Sequence, residues 1–266
     1  MVSTWRFMNS GVRSGAFNMG CDEKLALELL AGTGAPTLRL YQWKPWAISL
    51  GYNQNAADID SRKCDQDGID IVRRPTGGRA ILHAQELTYS IVMGAGRSGV
   101  LQVYNDISRA LVRGLQMFGV DVTLQRLQPN FAEVYRHASS IPCFTSSARY
   151  EIEYEGRKLV GSAQRRYSDG EQDVILQHGS ILCGPAHQRL ADYLALDDAA
   201  TKKRISDELR TKTADLASLS GTELDLDSLA LCIRRGFEED WGITLTEFTE
   251  SEINHDMRNA EIIHTR

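Results

Sequence analysis

The segment Arg73–His83 reads RRPTGGRAILH, and it is the first of three short segments that decide the fold. A pair of glycines, Gly77 and Gly78, separates two runs with strand character, Ile69–Arg74 and Ala80–His83. Paired glycines let the backbone turn tightly and approach a ligand closely, and they leave N–H groups that can hold an oxyanion or a phosphate. A hairpin turn with solvated arginines is the commoner explanation of such a segment taken alone.

The same segment does not match the two commonest phosphate-binding motifs. A Walker loop is excluded because no Gly-Lys-Ser or Gly-Lys-Thr follows the glycines. A dinucleotide-binding fingerprint is excluded because its glycine spacing and its following helix are missing. The glycines therefore predict a close backbone approach, but they do not identify the ligand.

The second segment, Gly156–Gln164, reads GRKLVGSAQ and follows a turn between two predicted strands of a β-hairpin. Strand alternation predicts that Lys158 shares a face with Val160 and Ser162, opposite Gly161. A lysine that points into a cleft from this position can stabilise developing negative charge. An exposed lysine with no such role is the more frequent case.

The third segment, Gln177–Leu182, reads QHGSIL and lies in a predicted strand, Val174–Cys183. An isolated histidine on a strand, such as His178, is more often structural than catalytic. The same caution applies to His83.

The five cysteines are scattered, and no two of them form a CxxC pair. This pattern indicates neither a zinc site nor a disulfide framework, so free thiols in a reducing compartment are expected. A lone cysteine is usually a small buried hydrophobe, and Cys21 and Cys232 fit that description. Cys143 fits it least, because it follows Pro142 and precedes the polar run Thr145–Ser147, where a loop is predicted.

Composition restricts the classes of function. The chain has 266 residues, 42% of them hydrophobic and 24% charged, with a formal net charge of −5, which argues against nonspecific nucleic-acid binding. No run approaches the ~20 apolar residues that span a bilayer, and the amino-terminal residues lack the apolar part of a secretory signal. A cytoplasmic protein without membrane contact is expected. Basic segments at residues 73–79 and 157–166 suit an anionic ligand or an acidic protein partner, or else reflect ordinary surface variation.

The order of predicted elements favours an α+β fold. Asn18 is predicted to cap an amino-terminal helix, and Ile107 to Phe118 form an amphipathic helix that Gly119 ends. Hairpins occur between helices without regular βαβ alternation, so a mixed, mainly antiparallel sheet flanked by helices is predicted. Residues 1–185 are interpreted as one catalytic core, and residues 186–266 as a helical extension packed on it rather than as an independent domain.

The three segments, in this order and spacing, resemble the biotin/lipoate protein ligase superfamily, specifically its lipoate branch. They are similar to its Arg-Arg-x-Ser/Thr-Gly-Gly box with a following histidine, its Gly-x-Lys-x-x-Gly-Ser-Ala-Gln box and its His-Gly-Ser/Thr box. The resemblance runs from about Asn18 to Gly184 and implies the catalytic-domain fold of that superfamily. One departure is Ala84, which stands where an acidic residue often follows the histidine.

The resemblance also bears on chemistry, because the family contains ATP-dependent ligases and cysteine-dependent acyltransferases. Cys143 lies before Lys158, as in a second type of octanoyltransferase whose sequence is ligase-like, and Arg79 replaces the usual third glycine of ligases. The resemblance therefore implies Cys143 and Lys158 as catalytic residues, with no metal and no cofactor required. The residues that it implies for substrate binding are Arg74, Gly77, Gly78, Arg79, His83, Gly161, Ser162, Ala163, His178 and Gly179.

The implied reaction moves an octanoyl group from acyl carrier protein to a lysine of a lipoyl-domain protein, through a thioester on Cys143. The implied acceptor is the glycine-cleavage H protein or a 2-oxoacid dehydrogenase E2, and the enzyme is expected to be a monomer. Lys158, together with His83, is expected to lower the thiol pKa or stabilise the oxyanion. The alternatives are an amidotransferase between lipoyl domains, an ATP-dependent lipoate-protein ligase and a non-catalytic acyl- or lipoate-binding subunit.

Overall fold

The computed structural model describes residues 4–96, 99–125, 151–221 and 224–249. The strands are β1 (Thr4–Arg13), β2 (Thr37–Trp43), β3 (Ala47–Leu50), β4 (Asp70–Arg73), β5 (Ile81–His83), β6 (Glu86–Gly94), β7 (Thr123–Gln125), β8 (Glu151–Tyr154), β9 (Arg157–Ser168), β10 (Asp173–Leu182) and β11 (Thr244–Glu247). The helices are α1 (Gly15–Leu30), α2 (Ser61–Asp67), α3 (Val100–Met117), α4 (Ala199–Lys212), α5 (Leu216–Ser220) and α6 (Leu226–Trp241), with 3-10 turns at Ala56–Asp58 and Pro185–Tyr193.

Two sheets form the framework of the fold. The large sheet has eight strands in the order β11-β1-β2-β6-β10-β9-β8-β7, and the small sheet has three in the order β4-β3-β5. In the large sheet, β1 pairs in parallel with β11 and β2, and the remaining neighbours are antiparallel. The predicted α+β class with a mixed, mainly antiparallel sheet is therefore confirmed.

One face of the large sheet is covered by the helix pair α3 and α6. Ile107 and Leu111 of α3 and Ile233 of α6 are fully buried in one core with the strand residues beneath them. The two helices cross closely because both carry a glycine at the contact. A Cβ atom on Gly236 would lie 2.5 Å from the Ala110 carbonyl oxygen, and one on Gly114 would lie 2.7 Å from the Ile233 Cα. The crossing therefore requires both glycines.

The opposite face of the large sheet carries α1 and the small sheet. Leu25 and Ala26 of α1 pack against Val92 and Leu176 of the large sheet. The chain after residue 185 contributes to both cores: Leu209 packs with the small sheet, whereas Ala214 to Phe237 supply residues of the core under α3. The boundary drawn at residue 185 stays a prediction.

Within the described residues, no helix combines the length and the apolar character needed to cross a bilayer.

Of two predicted helix boundaries, one is confirmed and the other is wrong. The helix after residue 100 ends as expected, since Gly119 follows it with a positive φ of 95°. The prediction that Asn18 caps α1 is wrong, because the helix begins at Gly15 and the Ser14 side chain accepts from the Phe17 N–H. Asn18 is instead buried within the helix, where its amide serves a tertiary contact described below.

The close α3–α6 crossing predicts the result of a one-carbon change. Gly236→Ala places a methyl group against backbone atoms that cannot rotate away, so we expect a loss of about 1–3 kcal/mol in the free energy of unfolding. Urea denaturation measures this loss. Gly20→Ala is the matched control, since it also lies in a helix but nothing stands within 4 Å of its added Cβ. A Gly236→Ala protein as stable as the Gly20→Ala protein would contradict the crossing.

Candidate active site

The three sequence segments meet around one cavity between the large sheet and the small sheet. The large sheet contributes residues of β2, β6, β9 and β10 to the lining, and α1, Arg74 and strand β5 of the small sheet supply the rest. The residues that line the cavity are Met19, Tyr41, Trp43, Arg74, Ile81, His83, Thr88, Gly161, Ser162, Ala163, His178, Gly179 and Ser180. The lining is aromatic and apolar with a few polar groups, which is the usual composition of a site for a small ligand.

Gly179 makes the floor of the cavity possible. It pairs with Ser162 across β9 and β10. A Cβ atom at this position would lie 2.5 Å from the Gly161 carbonyl oxygen and 2.8 Å from Tyr89. The Ser162 hydroxyl lies 2.7 Å from the Tyr89 hydroxyl. Glycine at position 179 therefore leaves room for the Tyr89 ring of the neighbouring strand β6 to reach Ser162 of β9.

Arg74 holds the double-glycine loop, residues 76–79, in place. The buried guanidinium donates to the Gly77 carbonyl at 2.9 Å and to the Arg79 carbonyl at 2.7 Å, and it also binds Ser49. Gly51 lies directly beneath the loop, since a Cβ atom on it would come within 2.1 Å of the Gly78 oxygen. The carbonyl groups of the loop are thus bound by the protein.

The N–H groups of the same loop remain available. Gly77 and Gly78 are exposed, and no acceptor among the described residues takes their N–H groups. Gly78 has a positive φ of 93°, a conformation that favours glycine. This arrangement suits an incoming oxyanion or phosphate better than it suits a nucleotide base.

A chain of buried hydrogen bonds ties the loop to the large sheet. His178 Nε2 lies 2.7 Å from the Thr76 hydroxyl, and His178 Nδ1 lies 3.0 Å from Asp22 Oδ2. Burial lowers the pKa of His178 below its ordinary value, although Asp22 opposes the shift. The neutral ring therefore donates from Nδ1 to Asp22 and accepts from Thr76 at Nε2.

Asp22 is the centre of this chain. Its carboxylate accepts from the Arg39 guanidinium at 2.9 Å and from the Tyr41 hydroxyl at 2.8 Å, and Arg39 also binds the Asn18 amide oxygen at 2.7 Å. Burial favours the neutral acid, but Arg39, His178 and Tyr41 outweigh it and hold the pKa of Asp22 below its ordinary value of 3.8. A fully buried ion pair with complete hydrogen bonding therefore supports the cavity wall.

A second polar cluster surrounds His83. Its Nδ1 lies 2.8 Å from Glu86 Oε1, and its Nε2 lies 2.7 Å from the Ser49 hydroxyl. The Trp43 indole stacks on the His83 ring with 3.9 Å between centroids. Glu86 Oε1 also accepts from the Thr88 hydroxyl at 2.6 Å and from the Ser180 hydroxyl at 2.7 Å. Because both ring nitrogens are bound by protein groups, His83 is placed to shape the cavity rather than to take a proton from a thiol.

The position of Lys158 depends on a β-bulge. Ile152 of β8 pairs with Val160, but the next residue, Glu153, pairs with Lys158, so Leu159 is the extra residue. Directly paired residues share a face, and Ile152 and Glu153 point to opposite faces. Lys158 therefore lies opposite Val160. The predicted alternation, with Lys158 beside Val160 and Ser162, is wrong.

The bulge has a consequence for the site. Because Gly161 also lies opposite Val160, Lys158 and Gly161 share the face of the sheet that forms the cavity floor. Lys158 is itself buried. The backbone irregularity thus turns the lysine from the helix-covered core to the side where ligand would bind.

The structure gathers most of the residues that the sequence proposed. Those that line the cavity are Arg74, His83, Gly161, Ser162, Ala163, His178 and Gly179. Gly77, Gly78 and Arg79 form the loop attached to its wall, and Lys158 lies further along the floor strand. Cys143 lies outside the described residues, so its place in the site stays a prediction.

The four described cysteines are poor candidates for a nucleophile. None of them lines the cavity, and Cys21, Cys64 and Cys183 are buried. Burial raises the pKa of Cys64 to about 11 and that of Cys183 to about 12. A thiol with so high a pKa is scarcely ionised at neutral pH.

Several residues of the site escaped the sequence reasoning. They are Asp22, Arg39, Tyr41, Trp43, Ser49, Glu86 and Thr88. One signal was present: Arg39 stands between Leu38 and Leu40 in an otherwise apolar strand, and a charge in that position needs a buried partner. The partner could not be identified, since Asp22 had the pattern of an ordinary first-turn acid.

Comparison with known proteins identifies the class. The family of the lipoyl protein ligase A/B catalytic domain matches residues 14–238. The chain belongs to this family. Among curated relatives, the octanoyltransferase LipM of Kyrpidia tusciae is 37% identical over 92% of this chain and 89% of its own length. The octanoyltransferase LipM of Symbiobacterium thermophilum is 36% identical over 95% of this chain and 92% of its own length.

Solved structures show the same fold. A lipoate protein ligase from Thermoplasma acidophilum with bound lipoic acid superposes with a TM-score of 0.72 at 19% identity, covering 98% of this chain and 96% of that one. Lipoate-protein ligase A bound with ATP gives a TM-score of 0.72 at 18% identity, covering 100% of this chain and 96% of that one. The expected lipoate-ligase catalytic fold is thereby confirmed.

The buried Asp22–Arg39 pair predicts a large effect of one isosteric change. Asp22→Asn leaves the Arg39 charge buried without its carboxylate, so we expect a loss of about 3–5 kcal/mol in the free energy of unfolding at neutral pH. Glu23→Gln is the control on the same helix, because its carboxylate is partly exposed and lies 3.8 Å from Arg165. That change should cost less than about 1 kcal/mol.

The same pair predicts a pH dependence. The folded-state pKa of Asp22 is depressed, so its stabilisation is present above its ordinary value of 3.8 and is lost as pH falls through the lower folded value. The stability difference between the wild type and Asp22→Asn should therefore be full at neutral pH and shrink in acid below pH 3.8. Denaturation at a series of pH values measures this difference. A difference that grows in acid would contradict the ionised pair.

Proposed function

We propose that this protein is an octanoyltransferase of lipoate biosynthesis, which moves octanoyl from acyl carrier protein to a lysine of a lipoyl domain through a thioester on Cys143. The observation that carries the proposal is the similarity to octanoyltransferases over nine-tenths of the chain, at 37% identity. The convergence of the three motif segments on one cavity supports it. The family membership alone would leave ligases and transferases equally possible.

In the first half-reaction, the Cys143 thiolate attacks the carbonyl carbon of the octanoyl thioester. The tetrahedral oxyanion collapses, the carrier thiol leaves, and octanoyl remains on the enzyme as a new thioester. A covalent relay is useful here because donor and acceptor groups are both carried on proteins and need not occupy the site together.

Two groups of the site are suited to the developing charge. The Lys158 ammonium is assigned to the ligand side of the sheet because of the bulge, and the N–H groups of Gly77 and Gly78 have no acceptor among the described residues. Donors fixed in advance stabilise an oxyanion without reorganisation during the reaction. Arg74 and His178 then serve to hold the loop that presents these N–H groups.

The octanoyl chain is assigned to the cavity under Trp43. The surface that the lining exposes to the cavity is mostly apolar, and burial of the chain contributes up to about 0.8 kcal/mol per methylene. Trp43 is fixed by its stacking on His83 and by a hydrogen bond of 2.7 Å from its indole N–H to the Thr88 hydroxyl. A fixed wall of this kind favours one chain length over others.

In the second half-reaction, the acceptor lysine attacks the acyl-enzyme, an amide forms and the Cys143 thiolate is released. Conversion of a thioester to an amide is downhill, so the reaction requires neither ATP nor another cofactor. The acceptor is a lipoyl domain such as the H protein or an E2 component. We assign the enzyme to the cytoplasm, since a reducing compartment keeps the required thiol free. We also propose that it acts as a monomer.

The thioester can be tested with intact protein. On incubation with octanoyl-acyl carrier protein, the wild type should gain the mass of one octanoyl group, and Cys143→Ser should not, because a serine hydroxyl is a far weaker nucleophile than a thiolate. Intact-protein mass spectrometry reads both. Cys232→Ser is the matched control, since Cys232 is the only partly exposed thiol among the described cysteines. Normal octanoyl transfer by Cys143→Ser would rule the mechanism out.

The choice of donor separates the proposal from its alternatives. Octanoyl-acyl carrier protein should support amide formation on a lipoyl domain, whereas octanoate with ATP should support less than about one hundredth of that rate, since no step needs an adenylate. Product mass on the lipoyl domain is the measurement. Equal or faster transfer from an octanoylated lipoyl domain would indicate an amidotransferase. Activity that depends on ATP and survives loss of Cys143 would indicate a ligase. Ligand binding without turnover would indicate a binding subunit.

A further inference from the structure

Lys158 lies where strand β9 changes its neighbour. Along most of its length β9 pairs with β10, and the last such pair is Val160 with Ile181. Beyond this point β10 turns away, and the segment that follows α4 takes its place: Thr213 forms a parallel bridge with Lys158, and the Ala214 N–H donates to the Lys158 carbonyl at 3.0 Å. The backbone of the lysine is thus held by the carboxy-terminal part of the chain.

Thr213 is fixed in turn by two buried contacts. Its hydroxyl lies 2.6 Å from the Leu209 carbonyl oxygen and 2.7 Å from His187 Nε2. The other ring nitrogen, His187 Nδ1, lies 3.1 Å from the Gly184 carbonyl oxygen. Thr213, His187 and Leu209 are all nine-tenths or more buried. The hydroxyl therefore joins the end of α4 to the 3-10 turn that leaves β10.

We propose that Thr213, with His187 behind it, is a positioning residue for Lys158, a role that rests on the proposed function of that lysine. The bulge at Leu159 decides which face Lys158 occupies, and it leaves the ladder locally disrupted, so contacts on either side of Lys158 help to fix its backbone. Glu153 of β8 fixes one flank and Thr213 the other. The carboxy-terminal extension therefore supports the active site, although none of its described residues lines the cavity.

The contacts of Thr213 allow a sharp set of variants. Thr213→Val keeps the branched shape but removes the hydroxyl, and Thr213→Ser keeps the hydroxyl but removes the methyl group. Thr211→Val is the matched control, because the Thr211 hydroxyl makes the same backward contact, 2.8 Å to the Asp207 carbonyl oxygen, at an exposed position. All variants are compared in the full-length protein.

Two readouts separate positioning from general stability. The first is the split between kcat and KM for octanoyl transfer from octanoyl-acyl carrier protein. The second is the NMR signal of the Lys158 ε-carbon in protein with ¹³C-labelled lysine, assigned by its loss in Lys158→Arg. Thr213→Val should lower kcat by about tenfold with KM unchanged and should move the Lys158 signal, since small displacements of a catalytic group are costly. Thr213→Ser should restore both, and Thr211→Val should change neither.

These measurements distinguish a failure of the positioning role from a failure of the proposed octanoyl transfer. If Thr213→Val leaves the Lys158 signal in place, or if it only lowers Tm and the active fraction while kcat per folded molecule stays constant, the positioning role is wrong. If the Lys158 signal moves only in Thr213→Val but the wild type transfers no octanoyl, the positioning stands and the proposed reaction fails.

Discussion

The site depends on one buried ion pair, Asp22 with Arg39, and on the hydrogen bonds that extend from it. Asp22 orients His178, and His178 holds Thr76 at the start of the double-glycine loop. A charge pair in a dry interior is tolerated only when its remaining hydrogen-bonding capacity is filled, and here Tyr41, the Asn18 amide and Ser10 complete it. The loop is therefore held in place before any ligand arrives, which is what a site that stabilises a transient oxyanion requires.

The polar groups around the cavity divide into two kinds. His83 and His178 have both ring nitrogens bound to protein groups, so they shape and support the wall. The proposed function assigns contact with the substrate to Lys158 and to the N–H groups of the loop. The lysine owes its orientation to a bulge whose two flanks come from distant parts of the chain, the β8–β9 hairpin and the segment after α4.

Sequence reasoning reached the fold class and brought together the three segments of the site, because glycine pairs, hairpin turns and strand patterns are local signals and the spacing of the boxes resembles one family. It placed Lys158 on the wrong face, since a bulge depends on the register between two strands and not on alternation within one. It missed Asp22 as the partner of His178, which is 156 residues away in the chain. Strands β1 and β11 also escaped it, because Thr4–Arg13 is rich in polar residues and the four residues of β11 carry little pattern.

In the proposed reaction, the acyl group passes through a thioester on a single sulfur. The most direct measurement locates the acyl group on the enzyme. The enzyme is incubated with octanoyl-acyl carrier protein, and the reaction is quenched before acceptor is added. The protein is then digested under conditions that preserve thioesters, and the adduct is mapped by tandem mass spectrometry. The account predicts one octanoyl group on the peptide that contains Cys143, released by hydroxylamine and by acceptor lipoyl domain. An adduct located on Lys158 or on another cysteine, or an octanoyl adenylate with no covalent adduct, would contradict it.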